Sequence, residues 1–258
     1  MARRAGVLRL PTAGPGDTRA LAAAIDAGQV DPAKIVAIVG KTEGNGCVND
    51  FTRGYATLAL KLLLSERLAV PLSDIERRVA IVMSGGTEGG LSPHLLVFSR
   101  EETSAVSTSA RLAIGIGLTR AFTPEEIGRA AQIEETAAAV TVAMKDAGIV
   151  SPADVHFVQI KCPLLTKERI EEATSRGASV ATDDTYHSMA LSRGASALGV
   201  ALALGEVTEA PEAAICSDWS LYSKVASTSA GVELLRNEIV VLGNAPGWAG
   251  DLAIDTTS

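Results

Sequence analysis

The segment DAGQVDPAKIVAIVGK, residues 26–41, recurs 120 positions later as DAGIVSPADVHFVQIK, residues 146–161. Seven of the sixteen aligned positions are identical, and two more exchange only isoleucine for valine. Such agreement indicates that the chain contains at least two related units. A repeat of this kind constrains the fold more strongly than any single predicted helix or strand does. Each copy ends on a lysine, Lys41 or Lys161, directly after an apolar run. These two lysines are the first candidates for a functional site.

A second pair of matching segments follows the lysines. SGGTE at residues 84–88 and SAGVE at residues 229–233 share serine, a small residue, glycine, a β-branched residue and glutamate. Small residues after the serine let a ligand approach the backbone closely. Between lysine and serine each unit also carries an arginine, Arg53 or Arg193. Each unit therefore supplies one lysine, one arginine and one serine.

Apolar periodicity predicts an α/β fold. Helices are predicted at 18–27 and 52–67, one long helix or two at 123–147, and strands at 34–39, 78–83, 95–98 and 155–160. The polar segment EETSAVSTSA, residues 101–110, is predicted to be a linker. We therefore expect two tandem α/β units, 1–103 and 111–250, and we expect residues 251–258 to begin a further element.

Composition limits the classes of partner. Apolar residues make up 47% of the 258 positions and mean hydropathy is +0.24, yet no apolar run reaches the roughly 18 residues of a membrane span. We expect the apolar surplus to enter cores and a homo-oligomer interface. The N-terminal segment has no apolar stretch of signal-peptide length, so a cytoplasmic location is expected.

The charge and the cysteines exclude further classes. A net charge of −7 disfavours nucleic acid and anionic membranes, which bind clustered basic surfaces. The three cysteines and three histidines show no metal-binding spacing, so no zinc or iron site is expected. The cysteines are consistent with a reducing compartment.

Serine beside lysine points to acyl transfer. A desolvated lysine can be neutral and act as a base for serine, and the small residues Gly85 and Ala230 leave backbone N–H groups for an oxyanion. Arginine suits planar, carbonyl-rich ligands because its fork donates paired hydrogen bonds. The structural alternatives are a solvated strand end for each lysine and a plain turn for each serine. A phosphate-binding loop is excluded, because Ile35 stands where that motif needs glycine.

Five longer segments carry a resemblance to a known family. They are similar to the cyanuric acid hydrolase and barbiturase family of ring-opening amidohydrolases, over about residues 7–250. The segments are residues 40–50, 84–94, 158–166, 192–199 and 227–234.

The resemblance implies three related α/β units around a pseudo-threefold axis, each giving a lysine, an arginine and a serine to one site. It implies that Ser229 attacks a ring carbonyl with Lys161 as base. The ring opening of cyanuric acid would yield carboxybiuret, which loses carbon dioxide to give biuret. The substrate-binding residues implied with them are Lys41, Arg53, Ser84, Gly85, Arg193 and Ala230.

Other expectations also follow from the resemblance. It implies no cofactor, a structural metal ion held in the third unit of some members, and tetramers. Residues 192–196, SRGAS, resemble the cyanuric acid enzymes more than barbiturases, which leaves barbiturase as the alternative. By this resemblance the chain ends where a third unit would begin. We therefore expect either a cyanuric acid amidohydrolase, with its sequence truncated or its third unit supplied by another chain, or a non-catalytic two-unit remnant.

Overall fold

Two sheets of the same topology account for the sequence repeat. The computed structural model describes residues 2–87 and 90–255, so Glu88 of the serine motif and the end of the predicted segment 251–258 lie outside the described residues. The strands are β1 Ala2–Pro11, β2 Ile35–Lys41, β3 Ala80–Ser84, β4 His94–Thr103, β5 Arg111–Leu118, β6 Val155–Pro163, β7 Ala226–Gly231, β8 Glu238–Ala245 and β9 Trp248–Ala249. The helices are α1 Arg19–Asp26, α2 Thr52–Leu68, α3 Leu72–Arg78, α4 Ala130–Ala147, α5 Lys167–Ser175 and α6 Thr185–Ala203.

The first sheet has the order β3-β2-β4-β1-β9 and the second has the order β7-β6-β8-β5. If β9 is left out, the two orders correspond strand by strand: β7, β6, β8 and β5 of the second sheet are the repeats of β3, β2, β4 and β1 of the first. The registers also repeat, because Lys41 pairs with Ser84 between parallel strands, as Lys161 does with Ser229. The predicted α/β fold of tandem related units is therefore confirmed.

A proline turn explains how both copies of the repeated segment enter their strands. The Asp31 side chain accepts a hydrogen bond from the Ala33 N–H at 2.8 Å, and Ser151 accepts one from Ala153 at 3.3 Å. Each cap begins a 3-10 turn, at Pro32–Lys34 and Pro152–Asp154, that leads directly into β2 or β6. Proline suits the first position of such a turn because it needs no N–H donor there. The repeated Pro-Ala pair is therefore a strand-entry signal.

One hydrophobic core joins the two units. It contains side chains of β2, β3 and β4 together with those of β5, β6, β8 and α4. Helix α4 lies directly on β5, since a Cβ at Gly115 or Gly117 would fall 2.0 or 2.2 Å from a carbonyl oxygen of α4. A second core, formed by α1, α2 and the first sheet, includes the fully buried Leu64 and Ile38. Burying each such side chain contributes about 1.5–3 kcal/mol.

Several elements differ from the sequence predictions. The helix predicted at 123–147 is a 3-10 turn at Pro124–Glu126 followed by α4, because Thr123 and Glu126 form a capping box around the turn. Strand β4 continues to Thr103, which shortens the predicted linker. After β8 the chain returns to the first sheet, where β9 pairs with β1.

Within the described residues, no helix is long and apolar enough to cross a bilayer.

Candidate active site

The two repeated serines meet between the sheets. Ser84 Oγ lies 3.1 Å from Ser229 Oγ. Both serines lie on strands that run parallel to their lysine-bearing neighbours, at the carboxyl ends where open α/β sheets bind ligands. A cavity of about 180 Å³ opens over them. Its lining residues are Val39, Gly40, Lys41, Val82, Ser84, His94, Leu96, Gln159, Ser227, Thr228 and Ser229.

Lys161 lies beneath this cavity and is fully buried. Its Nζ lies 3.2 Å from Ser229 Oγ, donates to the Met83 carbonyl at 2.6 Å, and lies 3.0 Å from a carboxylate oxygen of Glu233. Burial lowers the pKa of Lys161 below its usual 10.5; Glu233 opposes this change and Arg53 adds to it. A buried amine with a lowered pKa, within hydrogen-bond distance of a serine, has the geometry of a general base and its nucleophile.

Lys41 differs from its repeat counterpart. It is only partly buried and lines the cavity, where its Nζ donates to the Gly85 carbonyl at 3.1 Å. Lys161 instead donates to Met83, a residue of the other unit. The first lysine is thus placed to touch a bound ligand, and the second is placed to exchange a proton with Ser229.

Arg53 connects the two units beside the serines. It is 1% exposed and donates to the carbonyls of Ala230 and Cys47, both at 2.7 Å. Its Nε lies 3.6 Å from the buried carboxylate of Asp50. Although burial raises the pKa of Asp50, hydrogen bonds from Thr52 and the Gly46 N–H, together with the Arg53 charge, outweigh burial and lower it. The Arg53 fork therefore fixes the backbone next to Ser229.

The loop before α2 folds around Asp50 and requires glycine next to Ser84. The Asp50 carboxylate accepts hydrogen bonds from the N–H groups of Gly46 and Thr52, at 2.8 and 3.0 Å. A Cβ at Gly85 would lie 2.2 Å from that carboxylate, and a Cβ at Gly44 would lie 2.0 Å from it. Glycine after Ser84 is therefore required by packing as well as by ligand approach.

Among the described residues, Arg193 makes no hydrogen bond or ion pair with the other predicted site residues, although its charge acts on Cys162, the chain neighbour of Lys161. The Arg193 side chain is exposed on α6, its Nε donates to the Met189 carbonyl at 3.2 Å, and it is absent from the cavity lining. The structure brings the remaining predicted residues together around the two serines. These are Lys41, Arg53, Ser84, Gly85, Lys161, Ser229 and Ala230.

Sequence reasoning missed Glu233 as a site residue. Its side chain is 7% exposed and contacts Lys161. A sequence signal for Glu233 did exist, because both serine motifs end on glutamate. The match between the two glutamates does not reveal, however, which side chain each of them contacts. Gln159 and His94 were also missed and line the cavity. Among the described residues, no group of three or more metal-ligating side chains is found.

Comparison with known proteins gives a consistent result. The family model described as "Amidohydrolase ring-opening protein" matches residues 6–258. A cyanuric acid amidohydrolase of Ectopseudomonas oleovorans is 59% identical over 245 residues, which cover 94% of this chain and 68% of the relative. A cyanuric acid amidohydrolase of Enterobacter cloacae is 54% identical over 257 residues, which cover 97% of this chain and 70% of the relative.

Solved structures give the same match. A cyanuric acid hydrolase described as an evolutionary innovation by structural concatenation superposes with a TM-score of 0.93 at 52% identity, covering 96% of this chain and 70% of that one. The cyanuric acid hydrolase of A. caulinodans superposes with a TM-score of 0.92 at 55% identity, and the match covers 97% of this chain and 70% of that one. The chain therefore spans about 70% of the length of these relatives. On this agreement of sequence and structure, the chain belongs to the family of ring-opening amidohydrolases and is a hydrolase.

Proposed function

We propose that this chain is a cyanuric acid amidohydrolase that opens the ring with Ser229 as nucleophile and Lys161 as general base. The observation that carries the proposal is the fully buried Lys161 amine, 3.2 Å from Ser229 Oγ. The relatives that are 54–59% identical are cyanuric acid amidohydrolases, which supports this substrate.

The reaction has two halves. Ser229 Oγ adds to a ring carbonyl while its proton passes to Lys161 Nζ. The ring C–N bond then breaks, and Lys161 returns the proton to the leaving nitrogen, leaving an acyl-enzyme. Water then adds to the acyl carbonyl while Lys161 takes its proton. The bond to Ser229 Oγ breaks, Lys161 returns that proton to Ser229, and carboxybiuret is released. Loss of carbon dioxide from that product yields biuret.

The cavity fits one small ring. Its volume of about 180 Å³ is comparable to the roughly 150 Å³ of an engineered cavity that binds a single benzene. Lys41 and Ser84 would donate to ring carbonyls, and the backbone at Gly85 and Ala230 would face the developing oxyanion. Removing one such donor elsewhere costs about 3 kcal/mol of transition-state stabilisation.

Biuret formation by the purified chain tests the proposal. Cyanuric acid should be turned over and barbituric acid should not, while Ser229→Ala and Lys161→Met should be inactive but folded by circular dichroism. Turnover of barbituric acid alone would assign the chain to the barbiturase reaction. A folded chain that turns over neither substrate would refute the proposal.

Two further predictions remain proposals. Arg193 is proposed to bind substrate from the face of α6, on the strength of its repeat match to Arg53; Arg193→Gln should then raise KM. A cytoplasmic homo-oligomer is also proposed, and sedimentation equilibrium will measure the assembly state.

A further inference from the structure

Glu233 forms an unusual buried contact with the proposed base. Its carboxylate lies 3.0 Å from Lys161 Nζ, and the two side chains are 7% and 0% exposed. Apart from this contact with Lys161, neither carboxylate oxygen has a hydrogen-bond partner within the described part of the chain. Lys161 is therefore the close partner that compensates its charge.

The fold makes room for this carboxylate. A Cβ at Gly231 would lie 2.1 Å from Glu233 Oε2. Arg169 holds the segment by donating to the carbonyls of Val232 and Leu234, the residues on either side of Glu233. One glycine and an arginine thus direct this acid toward Lys161.

Stability is a poor reason for such an arrangement. A buried ion pair contributes little or nothing relative to well-packed apolar side chains of similar size, because desolvating both groups offsets their attraction. A catalytic reason fits better. When Lys161 accepts the serine proton, a positive charge appears in a site without bulk water, and an adjacent carboxylate stabilises it strongly.

We propose that Glu233 is a positioning residue that holds the Lys161 amine beside Ser229 and stabilises the ammonium formed during catalysis. This rests on the proposed function. It assigns to the second unit a Ser-Lys-Glu arrangement in which the acid acts through the lysine.

Other ionisable groups face the Lys161–Glu233 pair. Arg53 and Cys162 face Lys161, and Arg169 faces Glu233. Glu233 also lines a second cavity, of about 310 Å³, with four further charged side chains. Those four are paired with each other, Lys61 with Glu76 at 3.0 Å and Arg236 with Glu238 at 3.2 Å.

Glu233→Gln tests the proposal because it keeps the shape and removes the charge. Without the carboxylate, the largest opposition to burial and Arg53 is gone and only Cys162 still raises the pKa of Lys161, so that pKa falls further. The acidic limb of the kcat/KM profile, where Lys161 must lose its proton, should move to lower pH by about 1–2 units. The value of kcat should fall by about tenfold or more, within the range of general-base effects.

Glu76→Gln is the matched control. It makes the same chemical change on the wall of the second cavity, where Glu76 is paired with Lys61. Its acidic limb and kcat should equal those of the parent chain. A Glu76→Gln limb that moves as far as that of Glu233→Gln would overturn the specific role of Glu233.

A second readout does not depend on turnover. The titration of Lys161 can be followed by NMR of protein labelled at lysine 13Cε, with the signal assigned by its loss in Lys161→Met. The midpoint should be lower in Glu233→Gln than in the parent, and an unchanged midpoint overturns the inference. Because this measurement needs no substrate, it separates failure of the inference from failure of the proposed function.

Glu233→Asp provides a second test of the positioning role, which applies even if Glu233→Gln does not fold. Aspartate retains the charge but is one methylene shorter. The acidic limb should stay within about half a pH unit of the parent, because the charge remains, while kcat falls several-fold because the amine is held less well. A parent-like kcat would overturn the positioning role.

Discussion

Replacing Arg53 by methionine should separate two residues that the repeat makes equivalent. Arg53 is 1% exposed, and Arg193, its counterpart, is exposed on α6. Arg53→Met leaves the Asp50 carboxylate, which is 0% exposed, without its cation, and it removes one hydrogen bond from each of the carbonyls of Ala230 and Cys47. Arg193→Met removes one hydrogen bond, to the Met189 carbonyl of its own helix.

The magnitudes follow from these contacts. Removing one member of a buried ion pair costs about 3–5 kcal/mol, and the two lost hydrogen bonds to backbone carbonyls add to this loss. An exposed substitution changes the free energy of unfolding by about 0.5 kcal/mol or less. At about 2–4 °C per kcal/mol for a chain of this size, Arg53→Met should lower Tm by at least about 6 °C, and Arg193→Met by no more than about 2 °C.

Urea denaturation and thermal unfolding, followed by circular dichroism, measure both variants under the same conditions. Arg53→Lys is an intermediate control, because it keeps the charge but lacks the planar fork that reaches two carbonyls at once. It should recover part of the lost stability. Equal destabilisation by Arg53→Met and Arg193→Met would refute the reasoning, since it would mean that burial does not distinguish the two arginines.

Three further predictions concern the site and its support. Gly85→Ala places a Cβ 2.2 Å from the Asp50 carboxylate and should destabilise by about 1–3 kcal/mol in urea titrations, whereas Gly90→Ala, with no atom within 4 Å, should be neutral. Gly115→Ala places a Cβ 2.0 Å from a carbonyl oxygen of α4 and should cost about 3 kcal/mol by the same assay; a parent-like midpoint would contradict this packing. Burial lowers the pKa of Lys161, so between that lowered value and 10.5 the unfolded chain binds one more proton than the folded chain. Stability should therefore rise with pH through that window, by up to about 1.4 kcal/mol per unit, and Lys161→Met should lose this part of the slope.

The elements that the sequence predicted are those with strong local signals. The repeated Pro-Ala turn, the apolar run after it and the terminal lysine recur as β2 and β6 in the same register with β3 and β7. Helix α2 was predicted at 52–67 and spans Thr52–Leu68. Helix α6 was not predicted, because its glycines and serines are weak helix formers. Gly199 is required there by packing, since a Cβ would lie 2.6 Å from the Ile133 carbonyl.

The sequence by itself indicated the two related units and the lysine and serine that each contributes, because these depend on short segments that carry their own turn, periodicity and capping signals. Tertiary structure decided which copy of each residue is buried. Lys161 lies against Met83 and Glu233, and Arg53 reaches Ala230, 177 positions away. Burial and contacts are set by side chains that arrive from the other unit, so two residues with matching local sequence acquire different burial, partners and proposed roles.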